Sequence, residues 1–283
     1  MSYSVTRQAI LIGCPGSGNS YLHGVAEDLT NVKNFLQSDK GGRWYSNEII
    51  TLNNPTFERL FQIVHSTNTD YNFIYFSGHG FTSQNWKRML ALRDNNIEDL
   101  FFINDSPRQL IVIDACRNYV TPGISGIPDL GEQWEHFDGV YEARIMFDHY
   151  IANSPYGKTI VYATQKGHYS YDSSTGGYFT KALLNITTRV KSETYKPIFI
   201  NKVVDVLPQV LQKQGNSQVP EIAYSEGQLI VPFAIAVPQL TIPKLKPRVP
   251  QRQLVTTNNN SSGAGWALLG LTAIFLIAAG SSK

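Results

Sequence analysis

Gln109-Leu-Ile-Val-Ile-Asp-Ala-Cys-Arg-Asn118 is a short apolar run that ends in polar and reactive side chains. Its branched aliphatic residues follow Pro107 and are bounded by polar residues, which predicts a buried strand of a parallel sheet. The carboxyl end of this strand carries Asp114, Cys116 and Arg117. Because open α/β sheets bind their substrates beyond the carboxyl ends of the strands, Cys116 occupies a position suited to a nucleophile.

A second apolar run ends in the same way, at Asn72-Phe-Ile-Tyr-Phe-Ser-Gly-His-Gly80. Glycines on both sides of His79 allow the backbone to bend sharply and to approach a substrate closely. Two strand ends thus present a cysteine and a histidine, the pair that performs covalent acyl transfer when an imidazole assists a thiol. We predict that Cys116 is the nucleophile, that His79 assists it, and that the N–H groups of Gly80 and Cys116 form an oxyanion hole. A buried, inert cysteine at a strand end is the alternative.

Ser77-Gly-His-Gly80 together with Asp114-Ala-Cys-Arg117 resembles the catalytic motifs of the caspase-like cysteine peptidases. The caspase signature is Gln-Ala-Cys-[Arg/Gln/Gly]-Gly, with the histidine roughly 50 residues upstream. Here Asp114 replaces the glutamine, Asn118 replaces the glycine, and the interval between histidine and cysteine is shorter. An Asp two residues before the nucleophile is similar to the metacaspase branch, of the prokaryotic type with a C-terminal membrane anchor. The resemblance covers roughly residues 7–184 and implies a caspase-like three-layer α/β fold with a mostly parallel central sheet and helices on both faces.

Hydrophobic periodicity along the rest of the chain agrees with this architecture. Strands that alternate with helices indicate a mostly parallel sheet covered on both faces. Further strands are predicted over residues 7–13, 48–52, 86–92, 159–163 and 228–236, and helices over 22–38, 55–65, 95–102, 131–152 and 199–214.

The resemblance also implies a binding pocket for the residue before the cleaved bond. Asp28, in the first predicted helix, falls where metacaspases carry a carboxylate that lines this pocket. Ser170, Tyr171 and Asp172 lie in a segment that resembles the start of the family's small subunit, and they would line the same groove. Carboxylates at Asp28 and Asp114 would attract a guanidinium group, so we predict cleavage after Arg and, more weakly, after Lys. A solvated helix residue at position 28 and a structural acceptor of loop amides at position 114 are the alternatives.

The segment after the nucleophile is where activating cleavage often occurs in caspase-like enzymes. Arg144 and Lys158 are therefore candidate self-cleavage sites for an enzyme that cuts after basic residues. An inert surface insertion is the alternative interpretation of this segment.

Gly13-Cys-Pro-Gly-Ser-Gly-Asn-Ser20 differs by one residue from a phosphate-binding loop, since Asn19 replaces the lysine of that pattern. Without the lysine, the phosphates of a nucleotide would lose their main charge partner. We interpret the segment as a glycine-rich loop at the rim of the active site, and a nucleotide-switched module stays open as another hypothesis.

Composition limits the partners that we expect. The net charge of +2 gives no reason to predict a nucleic acid partner. The two cysteines, Cys14 and Cys116, form no disulfide framework and fit a reducing compartment. The remaining histidines lack metal-ligand spacing, so we predict no metal site and no required cofactor. Calcium activation is common among metacaspases, but no compact acidic loop marks a site for it.

Residues 263–280 form a run without a charged side chain. As a helix, this run would extend ~27 Å at ~1.5 Å per residue, close to the ~30 Å of a bilayer core. Basic residues are more frequent before the run than after it, which predicts a cytoplasmic amino-terminal domain. We therefore divide the chain into a peptidase domain (1–236), a Pro/Asn/Ser-rich linker (237–262) and a transmembrane helix (263–280).

The predicted function is that of a membrane-anchored cysteine endopeptidase that acts on protein or peptide substrates. The resemblance implies self-processing and a role in stress- or defence-linked cell death. A catalytically weak, membrane-tethered scaffold or peptide-binding pseudo-protease is the alternative. The sequence carries no signal of the oligomeric state.

Overall fold

The computed structural model describes residues 5–116, 142–227 and 231–238 of the chain, all within one compact unit, Met1–Leu240. The α-helices are α1 (Val25–Gln37), α2 (Phe57–Ser66), α3 (Glu142–Ala152), α4 (Tyr178–Arg189) and α5 (Ile200–Lys213). The strands are β1 (Arg7–Cys14), β2 (Ile49–Asn53), β3 (Tyr71–Gly78), β4 (Gly80–Thr82), β5 (Arg88–Ala91), β6 (Asn96–Glu98), β7 (Arg108–Ala115), β8 (Gly157–Tyr162), β9 (Lys196–Phe199), β10 (Glu221–Glu226) and β11 (Pro232–Ala236).

A six-stranded sheet forms the centre of the fold, in the order β10–β8–β7–β3–β1–β2. Every neighbouring pair in it is parallel except β10 with β8. A β4–β5–β6 sheet and a β11–β9 pair, both antiparallel, complete the strands. The mostly parallel central sheet predicted from the sequence is therefore confirmed.

Apolar side chains project from both faces of the central sheet, as expected for parallel strands covered by helices on both sides. Ile10 and Ile12 of β1 pack in one core with Leu60 and Val64 of α2. The intervening Leu11 belongs to the other core, which contains the apolar faces of α1, α3, α4 and α5. The result is the predicted three-layer arrangement.

Most of the predicted elements are present, with ends shifted by a few residues. Confirmed are the strands near residues 7–13, 48–52, 72–76, 86–92, 110–115 and 159–163 and the helices near 22–38, 55–65 and 199–214. Residues 95–102 were expected to form a helix, but they form β6 and a 3₁₀ turn from Asp99 to Phe102. Pairing of β6 with β5 supplies the tertiary contact that outweighs this short local periodicity. The predicted helix over 131–152 is described from Glu142 onward.

Three described strands, β4, β9 and β10, were not predicted, whereas the last predicted strand, over 228–236, is described as β11. β10 is the edge strand beside β8, and its sequence Glu221-Ile-Ala-Tyr-Ser-Glu226 lacks the continuous apolar run of a central strand. β9 has only four residues and begins with Lys196 and Pro197, which gives no alternation to detect.

Within residues 5–116, 142–227 and 231–238, no helix is long and apolar enough to cross a bilayer. The predicted transmembrane helix over 263–280, and the predicted linker beyond residue 238, lie outside the described residues. The anchor therefore stays a prediction.

Candidate active site

The parallel pairing of β3 with β7 brings the two predicted catalytic residues to the same edge of the sheet. Ser77 lies opposite Asp114 and Gly78 opposite Ala115. His79 and Cys116 are the next residues after these two adjacent strands, so they follow the strands at the same position in the register. A Cβ atom at Gly80 would lie 2.7 Å from the carbonyl oxygen of Cys116. Only glycine permits this close approach, so the two residues proposed for the oxyanion hole are also neighbours.

The imidazole of His79 is held by the main chain of the glycine-rich loop that follows β1. Its Nε2 lies 2.6 Å from the carbonyl oxygen of Ser20. Because a carbonyl can only accept, Nε2 carries the hydrogen, and Nδ1 is the unprotonated nitrogen of the neutral ring. The loop is closed by a hydrogen bond of 2.9 Å from the N–H of Leu22 to the carbonyl of Pro15. Nδ1 is thus the ring nitrogen that remains available to act as a base.

Gly16 and Ser20 are functional residues that the sequence analysis missed. Gly16 has φ +77°, and a Cβ atom there would lie 2.7 Å from Nε2 of His79. The signal that could have found them is topological, since β1 is the neighbour of β3 and the loop after β1 must pass beside His79.

The structure also argues against the phosphate-loop hypothesis. The N–H of Gly24, where α1 begins, donates to the carboxylate of Asp172, and a phosphate there would face that negative charge.

Replacing Gly16 by alanine is expected to lower kcat by about ten- to a hundredfold and to leave KM within about twofold. The added Cβ would push the imidazole away from its position, and even small misplacements of catalytic groups cost this much. Steady-state kinetics on a peptide substrate measures the effect. Gly18→Ala is the matched control, because Gly18 also has a positive φ of +59° but has no atom within 4 Å of its Cβ position. Equal losses in the two variants would mean that backbone strain, and not contact with His79, is responsible.

The thiol of Cys116 is half-buried and protonated at rest. Its Sγ donates to the carbonyl oxygen of Ser170 at 3.2 Å. Burial, together with the negative charges of Asp114 and Asp172, raises the pKa of Cys116 above its ordinary value. A thiol in this environment needs a base to become a nucleophile, which is the role available to His79.

Cys14 has a different environment. It is buried in the core that contains α2, and burial raises the pKa of its thiol to about 12. A buried thiol of this kind is inert, so Cys116 is the reactive cysteine of the two.

A small cleft with a volume of about 30 Å³ opens beside Cys116. All five residues predicted to bind substrate contribute to its lining, which includes Asp28, Asp114, Ser170, Tyr171 and Asp172. No Lys, Arg or His is among the described residues that line it. The cleft is therefore acidic, and a cationic side chain is its natural complement.

Asp28 is buried at the bottom of this cleft, with 1% of its surface exposed. Its oxygens accept hydrogen bonds of 2.8 Å from the hydroxyl of Ser77 and from the N–H of Gly177. Burial, and after it the charge of Asp114, raises the pKa of Asp28 well above its ordinary value. The interpretation of Asp28 as a solvated helix residue is therefore wrong, because α1 presents it to the sheet edge.

Asp114 accepts from two hydroxyl groups. Ser170 Oγ donates to one carboxylate oxygen at 2.5 Å, and Thr180 Oγ1 donates to the other at 2.7 Å. Burial raises the pKa of Asp114 to about 6, against the effect of these two donors. Asp114 is thus an acceptor in the folded chain, and its donors are hydroxyls of the cleft wall and of α4 together with the main-chain N–H of Thr180.

Asp172 is the third carboxylate of the cleft. One of its oxygens accepts from the N–H of Gly24 at 3.0 Å. The other, Oδ1, is buried and has no hydrogen-bond partner among the described residues. Burial raises the pKa of Asp172, while hydrogen bonds from the N–H groups of Gly24 and Ser173, and after them the charge of Lys181, oppose this. A buried carboxylate oxygen without a donor is costly, and a cationic ligand would supply one.

The two candidate self-cleavage sites lie in regular structure. Arg144 is in α3, and its guanidinium donates to both carboxylate oxygens of Glu48, at 2.9 and 2.6 Å. Lys158 lies in β8, inside the central sheet. Cleavage after either residue would require local unfolding, and both sites stay predictions.

No group of three or more His, Cys, Asp or Glu side chains that could hold a metal ion occurs in the part of the chain that the structure describes. Calcium activation is untested by this observation and stays an open expectation.

A cysteine and a histidine at adjacent strand ends, with a small acidic cleft beside the cysteine, are the arrangement expected of a cysteine peptidase. The family model of the caspase domain matches residues 6–228, so the chain belongs to the caspase domain family, and this membership indicates a cysteine peptidase. Among solved structures, the chain is similar to caspase-1 from Spodoptera frugiperda, at 14% identity and a TM-score of 0.53. That match covers 83% of this chain and 93% of the insect chain and shows likeness of fold. No curated protein sequence matches the chain.

Proposed function

We propose that this chain is an endopeptidase that cleaves peptide bonds after Arg and, less readily, after Lys, by a Cys116–His79 dyad. The observation that carries the proposal is the cleft beside Cys116, which three carboxylates line and which no basic side chain lines among the residues that the structure describes. A caspase that cuts after Asp would need a cation at this place. The likeness to caspase-1 concerns the fold and carries no argument about specificity.

The proposed chemistry is that of a Cys–His dyad, and the free Nδ1 of His79 and the protonated thiol of Cys116 support it. Nδ1 of His79 takes the proton from Sγ of Cys116, and the sulfur attacks the carbonyl carbon of the scissile bond. The N–H groups of Gly80 and Cys116 donate to the oxyanion, a contribution worth about 3 kcal/mol per donor in other proteases. The imidazolium then gives its proton to the leaving amine, and a thioester remains on Cys116. Water, deprotonated by His79, hydrolyses the thioester and regenerates the thiol.

Preference for Arg over Lys has a geometric reason. A guanidinium is planar and has five N–H donors in a fixed fork, so it can serve several carboxylates at once. Asp28, Asp114 and Asp172 offer such a set, and Oδ1 of Asp172 lacks a donor within the described chain. A lysine ammonium is a single point charge and would satisfy fewer of these oxygens.

The experiment that tests this function compares matched peptides that end in Arg, Lys, citrulline or Asp before a fluorogenic group. Citrulline has the shape of arginine without its charge, so the ratio of kcat/KM for Arg to kcat/KM for citrulline isolates the charge of the cleft. The pKa of Asp114 is raised to about 6, so this carboxylate ionises as the pH passes upward through that value. The ratio is expected to rise several-fold between about pH 5 and pH 7. A ratio that does not change with pH, or faster turnover of the Asp peptide, would contradict the proposal.

We also propose that the enzyme is of the metacaspase type, is anchored to the cytoplasmic face of a membrane by residues 263–280, processes itself and contributes to cell death. The uncharged terminal run and the basic residues before it support the anchor. Membrane fractionation of the full chain and of a chain ending at residue 262 tests the anchor, and full release of both into the soluble fraction would contradict it.

Intact-mass measurement of active enzyme and of a Cys116→Ala variant, with and without calcium, tests self-processing.

A further inference from the structure

A chain of hydrogen bonds connects the core of the fold to the acidic cleft. The hydroxyl of Tyr75 lies 2.6 Å from Oγ1 of Thr180, and that hydroxyl donates to Oδ2 of Asp114 at 2.7 Å. Tyr75 is on β3 and Thr180 is in the first turn of α4, and neither has exposed surface. Neither residue lines the cleft, so any effect that they have on substrate must act through Asp114.

The donor and the acceptor of each hydrogen bond in this series follow from the number of hydrogens that each group carries. An ionised carboxylate can only accept, so above the pKa of Asp114 the single hydroxyl hydrogen of Thr180 points to Asp114. Thr180 can then only accept from Tyr75, so the phenol hydrogen points to Thr180. All donors therefore point toward the carboxylate, and bonds aligned in this way strengthen one another.

The start of α4 fixes both deep carboxylates of the cleft. The N–H of Gly177, the residue that precedes α4, donates to Asp28, and Thr180 in the first turn of α4 donates to Asp114. A Cβ atom at Gly177 would lie 2.4 Å from Oδ2 of Asp114, so the helix start fits closely around the pair. A helix amino terminus also favours negative charge.

We propose that Thr180, oriented by Tyr75, is a positioning residue that fixes the Asp114 carboxylate and thereby sets the selectivity of the cleft for a cationic side chain. The inference rests on the proposed function, because it explains how the cleft holds its charge. Ser170 donates to the other oxygen of Asp114 but also lines the cleft, whereas the Thr180 bond is sheltered from substrate and solvent.

Several ionisable groups face Asp114 and would oppose its charge. Asp28 from α1, Asp172 from the segment before α4, and Cys116 at the end of β7 all interact with it electrostatically. With these groups unchanged, removal of the Thr180 hydroxyl would leave the charged form of Asp114 with one donor fewer. A larger fraction of Asp114 would then be protonated near neutral pH, and a protonated acid attracts a guanidinium less strongly.

Three variants test the proposal in the full chain. Thr180→Val removes the hydroxyl at nearly constant volume, Thr180→Ser retains it, and Tyr75→Phe removes only the donor behind it. For the Arg peptide at pH 7, Thr180→Val is expected to raise KM about tenfold, with kcat within about threefold. It is also expected to move the acid limb of kcat/KM to higher pH. Thr180→Ser should behave as the unaltered enzyme, and Tyr75→Phe should shift the limb in the same direction by a smaller amount.

Alkylation of Cys116 by iodoacetamide distinguishes this role from general loss of structure, since the small neutral reagent does not need the acidic cleft. Its rate is expected not to fall in any of the three variants, because protonation of Asp114 removes a negative charge that raises the pKa of Cys116. An unchanged KM and pH profile in Thr180→Val, or equal effects of the Val and Ser variants, would overturn the proposal while the proposed function stands.

If the unaltered enzyme fails to cleave Arg peptides, the proposed function fails. The pKa of Asp114, measured by carboxyl ¹³C NMR, then decides the inference. A higher value in Thr180→Val than in the unaltered chain supports it, and equal values overturn it.

Discussion

Replacing Cys116 by alanine is expected to remove hydrolysis of the Arg peptide, with kcat falling by on the order of 10⁴- to 10⁶-fold, as when a catalytic nucleophile is deleted in other proteases. The side chain supplies the bond-forming atom, so no neighbouring group can replace it. Its hydrogen bond to Ser170 is the contact that is lost, and the fold should persist, with a melting temperature within a few degrees of the unaltered protein. Fluorogenic turnover, followed to the detection limit, measures the loss.

Cys14→Ala is the matched control for this substitution. Cys14 is buried on the far side of the sheet, so its loss should cost about 1 kcal/mol of stability and leave kcat/KM within about twofold. A Cys116→Ala protein that keeps more than about one hundredth of the activity would contradict the assignment of the nucleophile. Loss of activity in the Cys14 variant, with the fold intact, would do the same.

Replacing Asp114 by asparagine is expected to have opposite effects on activity and on stability. Loss of the charge should lower kcat/KM for the Arg peptide by about a hundredfold, since a charged hydrogen bond to a desolvated partner contributes about 3 kcal/mol. Burial raises the pKa of Asp114 to about 6 from its ordinary value of 3.8. The folded chain therefore binds more protons than the unfolded chain between these values, and stability falls as the pH rises through this interval. Above pH 6 the ionised carboxylate costs up to about 3 kcal/mol, which the neutral amide would not.

Chemical denaturation at pH 5 and pH 7.5 measures this second effect. The unfolding free energy of Asp114→Asn should exceed that of the unaltered protein at the higher pH, and the difference should shrink at the lower pH. Asp105→Asn is the control, because Asp105 is an exposed carboxylate and should change neither quantity. A less stable Asp114→Asn protein at pH 7.5 would contradict the account of a charge held for function at the expense of stability.

Sequence patterns predicted the parts of the site that sit at strand ends. The apolar runs before His79 and Cys116 each end in a short polar segment, and the parallel register of β3 and β7 then places the two residues side by side. Asp28 came from family resemblance, because helical periodicity alone gives no reason for a buried carboxylate in α1. Its burial is explained by Ser77 and Gly177, which are far from it in sequence.

The missed residues act through contacts that local patterns do not contain. Ser20 contributes a backbone carbonyl to His79, a role that any residue type could fill. Thr180 and Tyr75 are separated by 105 positions, and each one alone reads as an ordinary core residue. Only the order of strands in the sheet, with β1 and β7 on either side of β3, brings these groups to one edge.

The acidic cleft is expected to lower the stability of the fold, and this has a functional explanation. Three carboxylates share a small, largely buried space, and burial raises the pKa of each. Burial of carboxylates that must carry a negative charge is unfavourable, and it is typical of functional sites, where stability is given up for activity. A bound guanidinium would relieve it, so the substrate that fits the cleft is also the ligand that should stabilise the fold most.

Covalent labelling of the full chain by an arginyl chloromethyl ketone, read by peptide mass mapping, tests the central claim most directly. The claim is that Cys116 attacks a carbonyl whose preceding side chain lies in the acidic cleft. We predict a single adduct on Cys116, formed at least tenfold faster than with the aspartyl reagent and slowed by Asp114→Asn. An adduct on Cys14, or faster labelling of Cys116 by the aspartyl reagent, would contradict it.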